Sequence, residues 1–84
     1  MSIHIVIANL PPEVTPEGVQ TRFARLGIAT AVILNREGDP HKVTALIQSE
    51  ELDRPAADEI ASKINGAYYH GRRLHAYVPL FMQG

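Results

Sequence analysis

The side chains best suited to chemistry in this sequence are the imidazoles of His4 and His75, the phenol of Tyr77, and the cations Arg36, Lys42, Arg72 and Arg73. His4 and His75 would approach one another if they sat on adjacent strands, which raises the question of a metal site. Zinc asks for three or four ligands at short, recognisable spacings, and no third ligand stands at such a spacing, so a surface pair is the better reading. Cysteine is absent, which removes thiolate ligands, thiol nucleophiles and disulfides together. Neither a Ser-His-Asp arrangement, nor paired catalytic carboxylates, nor a glycine-rich phosphate cradle is present. The expectation is a binding domain rather than an enzyme, with no cofactor and no metal.

Rings and imidazoles among aliphatic neighbours suit contact with bases, and cations suit phosphates. The charge that serves them is local. Lys and Arg total 8 against 9 Asp and Glu, for a net charge of -1, so no broad positive field gathers anionic partners. The acidic residues Glu50, Glu51, Asp53, Asp58 and Glu59 surround the start of the second helix, where the helix dipole accounts for them without a partner. A chain of 84 residues that is 45% hydrophobic makes one domain with little room for large cavities. No apolar run approaches the roughly 18–20 residues of a membrane span, and the N-terminus lacks a signal peptide's basic flank and apolar stretch. The expectation is an intracellular, monomeric protein with no membrane partner.

Six elements must position these side chains. Ile3-His4-Ile5-Val6-Ile7-Ala8 is β-branched and stops at Asn9-Leu10-Pro11-Pro12, which makes it the first strand. Thr15-Pro16-Glu17 is a helix start: a hydroxyl cap, a proline at the first position and an acid in the first turn. Val19, Phe23 and Leu26 then form an apolar stripe that Gly27 ends, with Gly18 a weak point. Ala31-Val32-Ile33-Leu34 and Val43-Thr44-Ala45-Leu46-Ile47 flank the turn-forming cluster Asn35-Arg36-Glu37-Gly38-Asp39-Pro40 as a β-hairpin. Ala57, Ile60, Ala61 and Ile64 repeat at helical spacing behind Pro55, up to Asn65-Gly66. After a turn region at Tyr68-Tyr69-His70-Gly71, Leu74, Ala76 and Val78 alternate with His75 and Tyr77 as the fourth strand. The order βαββαβ predicts an α+β, ferredoxin-like sandwich, a four-stranded antiparallel sheet with both helices on one face.

Residues 3–78 resemble the RNA recognition motif (RRM) family. Ile5-Val6-Ile7-Ala8-Asn9-Leu10 is similar to that family's strand-one signature, and Thr15 through Gly27 to its first helix. The most specific stretch is Ile64-Asn65-Gly66 followed by Gly71-Arg72-Arg73-Leu74, spaced as in the family's passage from helix two to strand four. The strand-three signature departs from the pattern: in Lys42-Val43-Thr44-Ala45-Leu46-Ile47-Gln48-Ser49 only Lys42 and Ala45 match. Thr44, Leu46 and Val6 stand where stacking aromatics normally do, and the leucine is similar to the RRM subgroup typified by polypyrimidine-tract-binding proteins. The resemblance implies single-stranded RNA as the partner. By sheet alternation, His4, Val6, Ala8, Thr44, Leu46, Gln48, His75 and Tyr77 face outward, with Ala31 and Ile33 the outward positions least fixed by the pattern.

The predicted RNA contacts are therefore His4, Val6, Thr44, Leu46, Gln48, His75 and Tyr77 on the sheet, with Arg36, Lys42 and Arg72 reaching phosphates. Tyr68 is expected exposed and Tyr69 packed. A stacked base contributes about 1–3 kcal/mol, so two missing rings weaken binding by about 2–6 kcal/mol, and low micromolar affinity or weaker is expected. The competing reading is a protein-interaction module that uses the aliphatic sheet face or the helix side. Enzymes of the acylphosphatase type share the βαββαβ order, but the glycines and arginine of their phosphate loop are missing around Val19-Gln20.

Overall fold

Two side chains start the helices. Thr15 Oγ1 accepts the Gly18 N–H at 3.1 Å ahead of α1 (Pro16–Ala24), and the Asp53 carboxylate accepts the Ala56 N–H at 2.9 Å ahead of α2 (Arg54–Ile64). Each satisfies an amide that the first helical turn leaves without a partner, and a proline at the front of each helix presets φ. The structure is a computed structural model and describes residues 3–39 and 41–79. Among the described residues, no helix is long and apolar enough to cross a membrane.

The end of α1 corrects one expectation. The Ile28 N–H donates to the Phe23 carbonyl at 3.1 Å and the Gly27 N–H to the Ala24 carbonyl at 2.9 Å, with Gly27 at φ 79°, the pattern of a Schellman closure. Leu26, expected on the apolar stripe, falls past the helix end and is 63% exposed. The α-helix ends at Ala24, and the Leu26 N–H donates to the Phe23 carbonyl at 2.9 Å in a tighter i→i−3 turn, which takes Leu26 off the 3.6-residue period. Ile28 packs against the core instead.

The strands are β1 (Ile3–Leu10), β2 (Ala31–Asn35), β3 (Val43–Ser49) and, closing the main sheet, β6 (His75–Tyr77). They form a four-stranded antiparallel sheet in the order β2-β3-β1-β6. Between α2 and β6 lies a further small hairpin, β4 (Tyr68–Tyr69) and β5 (Arg72–Arg73), in a sheet of its own. The stretch expected to be a simple turn is thus a hairpin: His70 at φ 52° and Gly71 at φ 77° supply the two left-handed residues of a two-residue type I′ loop. The element order is βαββα, then the hairpin, then the last strand.

The helices and the strands meet in one core. Ile5, Ile7, Val43, Ala45, Ile47 and Ala76 from the sheet pack with Val19 and Phe23 of α1 and Ala57 and Ala61 of α2. Alanines on the inner side of α2 let it lie close to the strands, where larger side chains would hold it off. Ile3 and Val78, inward by strand alternation, are only partly buried and border this core, as does Leu52 in the β3–α2 connection. The last residues, Leu80 to Gly84, whose course the sequence leaves undecided, lie outside the described residues.

Candidate nucleic-acid interface

Strand alternation leaves the second face of the sheet without a helix, and the register turns its outward side chains into rows. Ile33 pairs with Leu46, Leu46 with Val6, and Val6 with Tyr77, so one apolar row crosses all four strands. On one side of it stand Ala31, Gln48 and His4, which pair in sequence across β2, β3 and β1. On the other side stand Asn35 paired with Thr44, and Ala8 paired with His75. Every residue of these rows is half-buried or exposed, whereas their inward neighbours on β1 and β3, Ile5, Ile7, Ala45 and Ile47, are buried. Neighbouring strands are about 4.8 Å apart, and alternate residues along a strand about 6.8 Å apart, so the rows form a lattice on the scale of successive bases.

The structure brings His4, Val6, Thr44, Leu46, Gln48, His75 and Tyr77 onto this one face. It also adds Ile33, 59% exposed, and Asn35. Sequence alone does not fix their side, because Ala31-Val32-Ile33-Leu34 is apolar throughout; the partial burial of Val32 and Leu34 against the core settles it. The two histidines do not meet. His75 pairs with Ala8, four residues along β1 from His4, a separation of about 13 Å along the strand, so the imidazole pair considered as a metal site is not formed.

The predicted phosphate contacts fare differently from one another. Arg36 donates from Nη1 to the Pro12 carbonyl at 2.7 Å and from Nη2 to the Val14 carbonyl at 2.8 Å, which braces the β1–α1 connection against the end of β2. Arg72 donates to the His41 carbonyl, tying β5 to the β2–β3 loop. Both guanidiniums are engaged with main chain before any ligand arrives. Lys42 is exposed at the start of β3.

Several other polar residues are structural. The β1–β3 register shifts between Ile7 and Leu10, and Asn9 sits in this bulge at φ 70° with its Nδ2 donating to the Arg73 carbonyl at 2.9 Å. Asn65 closes α2, and its Oδ1 accepts the Ala76 N–H at 3.1 Å. The acidic stretch divides into separate roles. Asp53 caps α2, Glu51 accepts the Ala29 N–H at 3.1 Å, and Asp58 and Glu59 pair with Arg54 and Lys63 one helical turn away. The dipole explanation therefore holds for Asp53, while Glu51, Asp58 and Glu59 have specific partners and Glu50 is exposed. Tyr69 packs against the core and Tyr68 is 75% exposed, as expected for each.

No protein-family model matches this chain, and no curated protein matches it at a significant level.

Proposed function

We propose that the open sheet face binds single-stranded RNA with modest affinity, on an RRM-like, ferredoxin-like scaffold. The observation that carries the reading is the row Ile33-Leu46-Val6-Tyr77, which spans all four strands and, among the described residues, has no helix over it. Unpaired bases are planar and apolar on their faces, and an uncovered sheet gives several of them a flat support at once. Tyr77, 54% exposed, offers the one ring of the row for stacking. Thr44, Asn35, His4 and His75 flank the row with hydrogen-bonding groups at the distance of base edges.

The outward positions of the strands among the described residues include no carboxylate, so nothing on the face itself repels a phosphate backbone. Lys42, at the start of β3, and Arg73, ahead of β6, are exposed cations beside the face, and with Arg36 and Arg72 held by carbonyls the electrostatic share of binding is small. Apolar contact along the row therefore supplies most of the affinity, which is low micromolar or weaker.

Titration of the 15N-labelled protein with short single-stranded RNAs tests this. Amide shifts are expected at Val6, Thr44, Leu46 and Tyr77, with an affinity that falls as salt rises. Shifts confined to the helix side, or binding that strengthens with salt, would reject RNA in favour of apolar protein docking. Leu46→Phe restores a ring at the centre of the row and is expected to tighten RNA binding by about 5- to 150-fold, the effect of one added stacking contact.

A further inference from the structure

Among the described residues, four large apolar side chains are strongly exposed, and they divide evenly between two places. Ile33 and Tyr77 belong to the sheet face. Leu26 and Tyr68 lie on the opposite side, at a cleft of about 320 Å³ between α1, the end of α2 and the β4–β5 hairpin. Its floor is apolar, made by Ile7, Leu10, Val19 and Phe23, and its walls carry Ile64 and Leu74. A volume near the lower end of ligand clefts suits one or two side chains rather than a large cofactor.

The ionisable groups of its lining have one sign. Arg22 and Lys63 stand on opposite walls, on α1 and α2, and among the described residues no carboxylate lines the cleft. Arg22 is held in place by its guanidinium, 4.8 Å from the centroid of the Tyr69 ring, and the Tyr69 ring in turn meets the His70 ring edge-on at 4.2 Å. His70 Nδ1 also lies 3.7 Å from a Glu13 carboxylate oxygen in the β1–α1 connection, an exposed pair that adds little to the packing of the hairpin. Lys63 pairs with Glu59 at 3.5 Å, but with side chains 74% and 71% exposed this is a solvent-screened pair that does not withhold Lys63 from a ligand carboxylate.

We infer that this cleft docks a short peptide segment of a partner protein, in which a bulky apolar side chain fills the floor and flanking Asp or Glu residues meet Arg22 and Lys63. Charge complementarity selects this occupant: a cationic rim around an apolar floor rejects a basic segment, and a concave seat takes a protruding side chain better than a stacked base. The inference is independent of the RNA reading, since the cleft and the open sheet face lie on opposite sides of the same strands.

The test uses two capped peptides with a common Leu-Phe core, one flanked on each side by three acidic residues and the other by three lysines. Titrated into the 15N-labelled protein, the acidic peptide is expected to shift Gly18, Arg22, Leu26 and the segment from Lys63 to Tyr69 in a saturable way, with an affinity at least about tenfold above the lysine peptide. Lys63→Glu, at a strongly exposed position, is expected to leave the domain folded with a slightly lower thermal midpoint, because it faces Glu59 and the negative end of α2, and to weaken the acidic peptide by about tenfold. The proposal is overturned if the two peptides bind equally, if Lys63→Glu leaves binding unchanged, or if the shifts fall on Val6, Leu46 and Tyr77. It is also overturned if the cleft amides move on raising protein concentration without peptide, which would assign the cleft to a second copy of the chain.

Discussion

The two faces of the sheet are built from similar side chains with opposite fates. On β3, Ala45 and Ile47 point at the helices and are 0% and 1% exposed, while Leu46, between them in sequence, points away beside Val6 and Ile33. Hydrophobicity does not separate these residues; what covers them does. Two helices fit over one face, and the capped starts at Thr15 and Asp53, together with the alanines of α2, hold them there. The other face keeps an apolar row that contributes little to folding and is therefore available to a ligand. Stability is concentrated on one side of each strand and the proposed recognition surface lies on the other, separated by one residue of register.

The largest expected effect tests the covered side. Ile47→Ala removes a fully buried side chain from the centre of the core and is expected to destabilise the domain by about 2–5 kcal/mol, read from urea denaturation. Against a total of about 5–10 kcal/mol for a domain of this size, that change approaches unfolding, so Ile47→Val, at about 0.5–1.5 kcal/mol, provides the graded version. A cost near zero for both would mean that the helices do not cover this face as described.

Next in size is Ser49, the inward polar residue at the end of β3, 3% exposed. Its Oγ donates to the Ala29 carbonyl at 3.0 Å and accepts the Glu51 N–H at 3.1 Å, joining the two loops at the edge of the covered face. Ser49→Ala leaves both main-chain groups without that partner and is expected to cost about 1–3 kcal/mol, seen as a lower urea midpoint at unchanged slope. An unaffected midpoint would show that the edge of the core is held by apolar packing alone.

Much of this division can be read from the sequence, because it rests on local rules. Period-two alternation in Ile3-His4-Ile5-Val6-Ile7-Ala8 and Val43-Thr44-Ala45-Leu46-Ile47 assigns both faces of the central strands, and Thr15-Pro16 marks a helix start by its own chemistry. What escapes is set by tertiary contact. Leu26 fits the helical stripe, yet the helix ends two residues before it in a tighter closing turn and leaves it exposed. Arg36 and Arg72 look like phosphate ligands in the sequence, and only the fold brings the carbonyls of Pro12, Val14 and His41 to them. The β4–β5 hairpin has a readable signal in His70-Gly71 between paired tyrosines and paired arginines, but strands of two residues are too short for alternation to reveal. The helix-side cleft has no linear signature, since its walls come from α1, α2 and the hairpin together.

The smallest effect is expected one residue from the largest. Leu46→Ala removes a side chain of nearly the same size as that of Ile47, but from the uncovered face, where what is lost is its cross-strand contact with Val6 and Ile33. Such pairs contribute about 0.2–1 kcal/mol each, so the expected cost is about 1 kcal/mol, well below that of Ile47→Ala measured under the same conditions. The comparison is sharpest at two protein concentrations. If Leu46→Ala proves as costly as Ile47→Ala and the excess grows with concentration, the open face is buried between copies of the chain, and the row is a subunit contact rather than a surface for RNA. If the excess is independent of concentration, something within the chain covers the face. A small, concentration-independent cost is the result that leaves Ile33-Leu46-Val6-Tyr77 exposed in solution, as an RNA-binding surface requires.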